Sequence, residues 1–191
     1  MRSAGYPARR RRSRGQALVE FSLIIPIFMT LVVAILEFSF FLTVKIGVTD
    51  SSQDAVQLAS ELGNTPNADF SILQLVEKDM GSPIDRTKIQ SVTIFQTDLE
   101  GDNLGSDTYN RTGSWTLNSV TIPYSLSGGK GYAEANRCNI VNPTVCGGVD
   151  WIGVTITYQY HWMTPLPNLA GVGSSAPTIV QTSTSRLEPI Q

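Results

Sequence analysis

The chain has 191 residues, 41% of them apolar, with 16 acidic and 14 basic side chains and a formal net charge of −2. That length suffices for a single domain with a real core and excludes an array of domains. The averages conceal a strong asymmetry along the chain.

Residues 1–15, MRSAGYPARRRRSRG, hold six arginines and no acid, whereas Phe21 to Val44 hold one ionisable side chain, Glu37. The 24 residues from Phe21 to Val44 make a helix of about 36 Å, enough for a hydrocarbon layer about 30 Å thick. The polar, turn-rich remainder offers little material to surround such a helix on every side, so lipid is its expected solvent. Arg9, Arg10, Arg11, Arg12 and Arg14 abut the span and are expected to keep that end in the cytoplasm, with the bulk of the chain exported. An arginine run can also bind nucleic acid, but beside a span its simpler use is as a topology determinant and anionic-lipid contact. A twin-arginine export signal lacks its surrounding pattern. A removable secretory signal would have a shorter apolar region ending at small residues. Here the run ends Phe40, Phe41, Leu42, Thr43, Val44, Lys45, which favours a retained anchor.

Beyond Lys45 the pattern continues without an obvious stop. Val44, Val48, Ala55, Leu58, Ala59 and Leu62 recur at helical spacing, with Asp50, Ser51, Gln53, Asp54, Gln57 and Glu61 supplying polar surface. One helix from Gln16 to Leu62, ended by Gly63 and Asn64 before Pro66, is expected, with Gly47 its weakest interior position. A short second helix is expected from Phe70 to Met80, closed by Gly81 and Pro83. The rest reads as β structure: Ser91 to Gln96, Trp115 to Tyr124, Trp151 to Tyr160 and Thr178 to Leu187. In WIGVTITYQY, Ile152, Val154, Ile156, Tyr158 and Tyr160 share one face. The intervals Thr97 to Ser114 and Ser127 to Gly131 are expected to be surface loops. The fold class is therefore α+β: a long N-terminal transmembrane helix, a short second helix and a small antiparallel sheet. Its divisions are a basic leader or tail at 1–15, a span at 16–45, and an exported domain at 46–191 that includes the extension of the first helix.

Cys138 and Cys146 are the only cysteines. On the exported side they suit a structural disulfide, and without companion histidines or CxxC spacing they suit neither zinc nor a redox centre. Glu20 stands at the entrance to the span. There it is either solvated by headgroups or paired with a cation when the helix joins a bundle. The second arrangement acquires its cation if a peptidase cuts after Gly15 and creates an amine on Gln16. Glu37, deeper in the span, suits contact with a partner helix better than proton transport, because no relay of intramembrane acids or histidines accompanies it. Pro26 is expected to kink or loosen the helix. His161 is the sole histidine and no GxSxG elbow is present, so no catalytic site emerges. Asp98, Glu100, Asp102 and Asp107 form an acidic loop that lacks EF-hand spacing, leaving a solvated loop favoured over a calcium site. No cofactor is expected.

The segment RGQALVEFSLIIPIFMTLVVAILEF closely resembles the TadE-like family, membrane pseudopilins of the tight-adherence, or Flp, pilus machinery. The later VTITYQYHWMTPLPNL and STSRLEP segments look like the family's exported half. The resemblance implies that Gly15 precedes a prepilin-peptidase cut, that Gln16 begins the mature chain, and that Glu20 and Phe21 are the Glu-aromatic pair at the fifth and sixth mature positions. Its implied partners are pilin or pseudopilin subunits, the peptidase, the pilus membrane machinery and lipid, with no nucleic acid. The implied function is that of a minor pilin or pseudopilin. A stationary single-span assembly factor and an exported calcium-binding or adhesion module are the alternatives. Cleavage would move the side-chain charge from −2 to −8, because six arginines leave and no acid precedes Gln16.

Overall fold

A computed structural model describes residues 13–140, 148–165, 171 and 176–189. The chain divides into two compact units, Met1–Phe40 with Trp162–Ser174, and Phe41–His161 with Ser175–Gln191. Helix α1, Ser13–Leu62, contributes to both. It passes Pro26 and Gly47 without a break. Gly63, at φ 52°, ends it in the left-handed conformation and donates its N–H to the Ala59 carbonyl at 3.1 Å.

In the second unit, α2 (Ala68–Asp79) follows, two residues longer at its start than its apolar spacing indicates. The sheet order is β5-β2-β1-β6-β7, with every neighbouring pair antiparallel. Its strands are β1 (Ile89–Thr97), β2 (Asn103–Asn110), β5 (Ser125–Ser127), β6 (Trp151–Gln159) and β7 (Thr178–Arg186). A separate hairpin pairs β3 (Trp115–Leu117) with β4 (Val120–Ile122).

A loop expectation is corrected. The interval from Thr97 to Ser114 is not all loop, because β2 lies inside it and pairs with β1. Its sequence, NLGSDTYN, shows no apolar alternation, and the residues it buries are Asp107 and Tyr109. Trp115 to Tyr124 is β structure as expected, folded into a hairpin. Asn118 and Ser119 both adopt positive φ, 49° and 65°, and reverse the chain between β3 and β4, as a two-residue hairpin of matching twist requires.

The core lies between one face of the sheet and the helices. Val48, Ala55 and Ala59 of α1, with Ile72, Leu73 and Val76 of α2, are fully buried, as are Val92, Ile94, Ile152, Val154 and Ile156 of the sheet. The expected stripe on α1 is present, but serines share it. Ser52 Oγ lies 3.2 Å from the Val154 carbonyl and 2.9 Å from Ser183 Oγ, so a small side chain sets the close approach of helix and sheet. Gly47 serves the same purpose, since a Cβ there would stand 2.1 Å from Ile84 Cδ1. It is a packing contact rather than a weak point. Phe41 meets Tyr160 edge to face at 5.2 Å, and the Ser60 carbonyl accepts the Glu188 N–H at 2.9 Å.

Candidate functional site

Within the first unit, the α1 side chains from Phe21 onward, with Leu18 and Val19 before Glu20, present a largely apolar surface. Leu18, Phe21, Leu23, Ile27 and Ile35 are each more than 60% exposed, which no water-facing helix of a folded domain sustains. The stretch has a mean hydropathy of 2.5 over its best window, none of it buried, and α1 is the one helix among the described residues long and apolar enough to cross a membrane. Its hydroxyls are turned inward. Ser22 donates to the Val19 carbonyl, Thr30 to Pro26 and Ser39 to Ile35, each at 2.8 Å, which satisfies polar groups that a hydrocarbon solvent could not.

At the start of this surface Gln16 Nε2 donates to Glu20 Oε1 at 3.0 Å, one helical turn on. Glu20 and Phe21 are both exposed, Phe21 at 63%. Among the described residues, nothing lies within 4 Å of the position a Gly15 Cβ would take, and Gln16 and Glu20 meet one helical turn apart. Glu37 differs: it is 5% exposed, and its Oε1 accepts the Met163 backbone N–H at 2.9 Å. Sequence spacing gave no hint of this contact, because 126 residues separate the two. The stretch of this surface free of ionisable side chains therefore runs from Phe21 to Leu36, about 24 Å of helix.

The second unit holds the polar groups that sequence reading missed. Asp69, fully buried on α2, pairs with the buried Arg137 guanidinium and accepts a hydrogen bond of 2.6 Å from the Tyr109 hydroxyl. Arg137 also lies over the Tyr132 ring, 5.0 Å from its centre. Asp107 Oδ1 accepts the N–H groups of Gly131 and Tyr132 at 2.6 and 3.1 Å, and Asp150 accepts from Gln96, Tyr132 and the Cys138 N–H. Burial pushes the Asp69 carboxyl up, with Arg137 and Tyr109 pulling against it. Burial likewise raises the Tyr109, Tyr124 and Tyr132 hydroxyls, helped by the nearby carboxylates of Asp69, Glu77 and Asp150 respectively. The cluster is a set of pins: Asp69 is bonded through both oxygens, to Tyr109 and Arg137, and with Asp107 and Asp150 it ties the 131–138 segment to α2 and the sheet. It presents no nucleophile beside a base.

The acidic loop is spent on its own turn. Asp98 Oδ1 accepts the N–H groups of Glu100 at 3.1 Å and Asp102 at 2.8 Å, and Asp107 lies away in the core. Among the described residues no three His, Cys, Asp or Glu side chains are grouped to hold a metal ion. His161 is exposed. Cys138 is 6% exposed, and Cys146 lies outside the described residues.

The exposed apolar helix with Glu20 at its head is the feature that a family comparison picks out. Residues 15–57 match the family model of the TadE-like proteins. This chain carries a TadE-like domain. The TadE-like segment contains Gly15, Gln16, Glu20, Phe21, Pro26 and Glu37, and it ends inside α1, five residues before the helix does. The sheet therefore lies beyond the TadE-like match. Comparison with curated proteins and with solved structures returns no match.

Proposed function

We propose that this protein is a minor pilin or pseudopilin that contributes to assembly of a tight-adherence type surface pilus. The observation carrying this reading is the TadE-like helix itself: a largely exposed apolar surface, on a helix long and apolar enough to cross a membrane, headed by a carboxylate one turn after Gln16. Such a helix has two solvents that suit it, lipid and a bundle of like helices. A subunit that leaves the first for the second loses little apolar burial, and the bundle then gains through packing.

In this reading the arginine-rich end stays in the cytoplasm and the sheet is exported, where a Cys138–Cys146 disulfide staples it. Prepilin peptidase cuts between Gly15 and Gln16. The amide that now reaches Glu20 gains an α-amine on the same residue, and Glu20 pairs with the amine of an adjacent subunit. A misplaced subunit leaves that carboxylate unpaired in an apolar setting, so the pair enforces axial register as well as affinity. Pro26 and Phe21 shape the contact, and pilus subunits and membrane machinery are the partners.

Mass measurement of the protein purified from membranes of its native cell tests the cut: the expected N-terminus is Gln16, and a chain retaining the arginines would refute it. Shearing of surface filaments separates a pilus subunit from a stationary membrane factor. The expected result is the tagged protein in both the membrane and the sheared fraction.

A further inference from the structure

Trp162 and Met163 belong to the same compact unit as α1 up to Phe40. The Met163 N–H donates to Glu37 Oε1 at 2.9 Å, so the height of Glu37 along the helix fixes the height of that backbone. Glu37 is 5% exposed, whereas Ile35, Leu36 and Phe38 around it are each more than half exposed. The cover over the carboxylate is therefore narrow. The Met163 side chain is itself 64% exposed, as bare as the apolar side chains of the span.

The position of Glu37 within the span sets the solvent of this segment. Glu20 and Lys45 bracket the apolar run, and the midpoint of the residues between them falls at Val32 and Val33. A hydrocarbon layer about 30 Å thick centred there reaches about 15 Å, or about ten residues, in each direction along the helix. Glu37 then lies about 7 Å from the midplane and about 8 Å inside the boundary. At that depth an acceptor carboxylate and a backbone N–H are both costly unless bonded. Glu37 and Met163 meet each other's requirement with one hydrogen bond. Pro165, two residues on, has no N–H to satisfy. From Trp151 to Ser185 the chain carries no Asp, Glu, Lys or Arg, so placing this segment in lipid carries no such charge with it. Trp162 is of a residue type enriched where membranes meet water.

We infer that Trp162 and Met163 form a second membrane-contacting element, held against α1 by Glu37 and inserted into the leaflet that surrounds the C-terminal part of the span. The partner of the Met163 side chain is lipid acyl chain, and Glu37 is the positioning residue. The inference rests on α1 crossing the membrane and is independent of the pilus reading.

The test uses the full-length chain in phosphatidylcholine nanodiscs, which admit reagents from both faces. A nitroxide is coupled to an azide-bearing amino acid placed at position 163, at position 35 within the span, or at position 99 in the acidic loop, where Leu99 is 78% exposed. Spin relaxation then reads collisions with molecular oxygen, which concentrates in lipid, and with a water-soluble nickel chelate. The label at 163 is expected to match the one at 35: frequent oxygen collisions, and chelate collisions about tenfold or more below those at 99. Glu37→Leu is expected to raise chelate collisions at 163 several-fold and leave those at 35 unchanged, because the amide loses its acceptor and the segment withdraws to water. Chelate access at 163 equal to that at 99 would overturn the inference. So would protection at 163 from both reagents, which would assign Met163 to a protein contact. Unchanged access in the Glu37→Leu protein would overturn the positioning role. Chelate access at 35 would instead refute the span itself, which separates that failure from the others.

Discussion

The Tyr109 hydroxyl donates to Asp69 Oδ2 at 2.6 Å across 40 residues of sequence, and on its other oxygen the same carboxylate holds the buried guanidinium of Arg137. Three chain segments, α2, β2 and the segment before residue 140, are thereby fixed by one side chain of four heavy atoms beyond its Cα. Removing one partner leaves the others desolvated without compensation. Asp69→Asn is expected to destabilise the protein by about 3–5 kcal/mol, because a buried cation remains. Asp69→Leu combined with Arg137→Met is expected to cost less than the sum of the two single changes. Urea unfolding of the detergent-solubilised protein measures all three, and strict additivity would show that the pair is not coupled.

Gly47 and Ile84 provide a second coupled pair. Gly47→Ala gains about 1 kcal/mol of helix propensity but drives a methyl into Ile84 Cδ1, an overpacking cost of about 1–3 kcal/mol. The net expectation for the single change is a loss. In a background of Ile84→Val, which deletes that terminal methyl, the same change is expected to be stabilising. Thermal melts of the four variants display the reversal of sign.

Alkali tests the buried tyrosines. Burial and neighbouring carboxylates hold the hydroxyls of Tyr109, Tyr124 and Tyr132 well above their ordinary range near 10. The folded protein therefore keeps protons that the unfolded chain releases. The stability this represents is fully present below about pH 10 and is lost as pH rises beyond it. Tyrosinate absorbance at 295 nm should show these three groups ionising together with unfolding, at a higher pH than the exposed phenol of a model peptide. Independent ionisation in the folded state would contradict their burial.

Glu37 and Met163 supply a test inside the apolar unit. Glu37→Leu makes the helix more apolar yet removes the acceptor of the Met163 N–H. Exchange of that amide with deuterium is expected to quicken about tenfold or more, while membrane retention is unchanged or improved.

Glu20 bears on the proposed assembly. Glu20→Ala should leave insertion intact, since the apolar surface from Phe21 to Leu36 is untouched, and lower the protein in sheared filaments about tenfold or more. Immunoblots of membrane and sheared fractions read both quantities at once.

The long helix, its stop at Gly63, the second helix, and strands β1, β6 and β7 were legible from the chain because each rests on local periodicity or on a turn residue with one favoured conformation. That Gly15, Gln16, Glu20 and Phe21 are neighbours on one helix was legible for the same reason, while their roles in processing and assembly belong to the proposal above. Strand β2 was not, because its inward side chains are an aspartate and a tyrosine whose partners lie on α2 and the 131–138 segment. Nor was the use of Gly47, of Ser52 or of Glu37, each defined by a contact more than 35 residues away. Apolar burial is summed over many side chains and leaves a repeating trace in sequence. A specific polar contact depends on one pair of atoms meeting, and only the folded chain decides which pair that is.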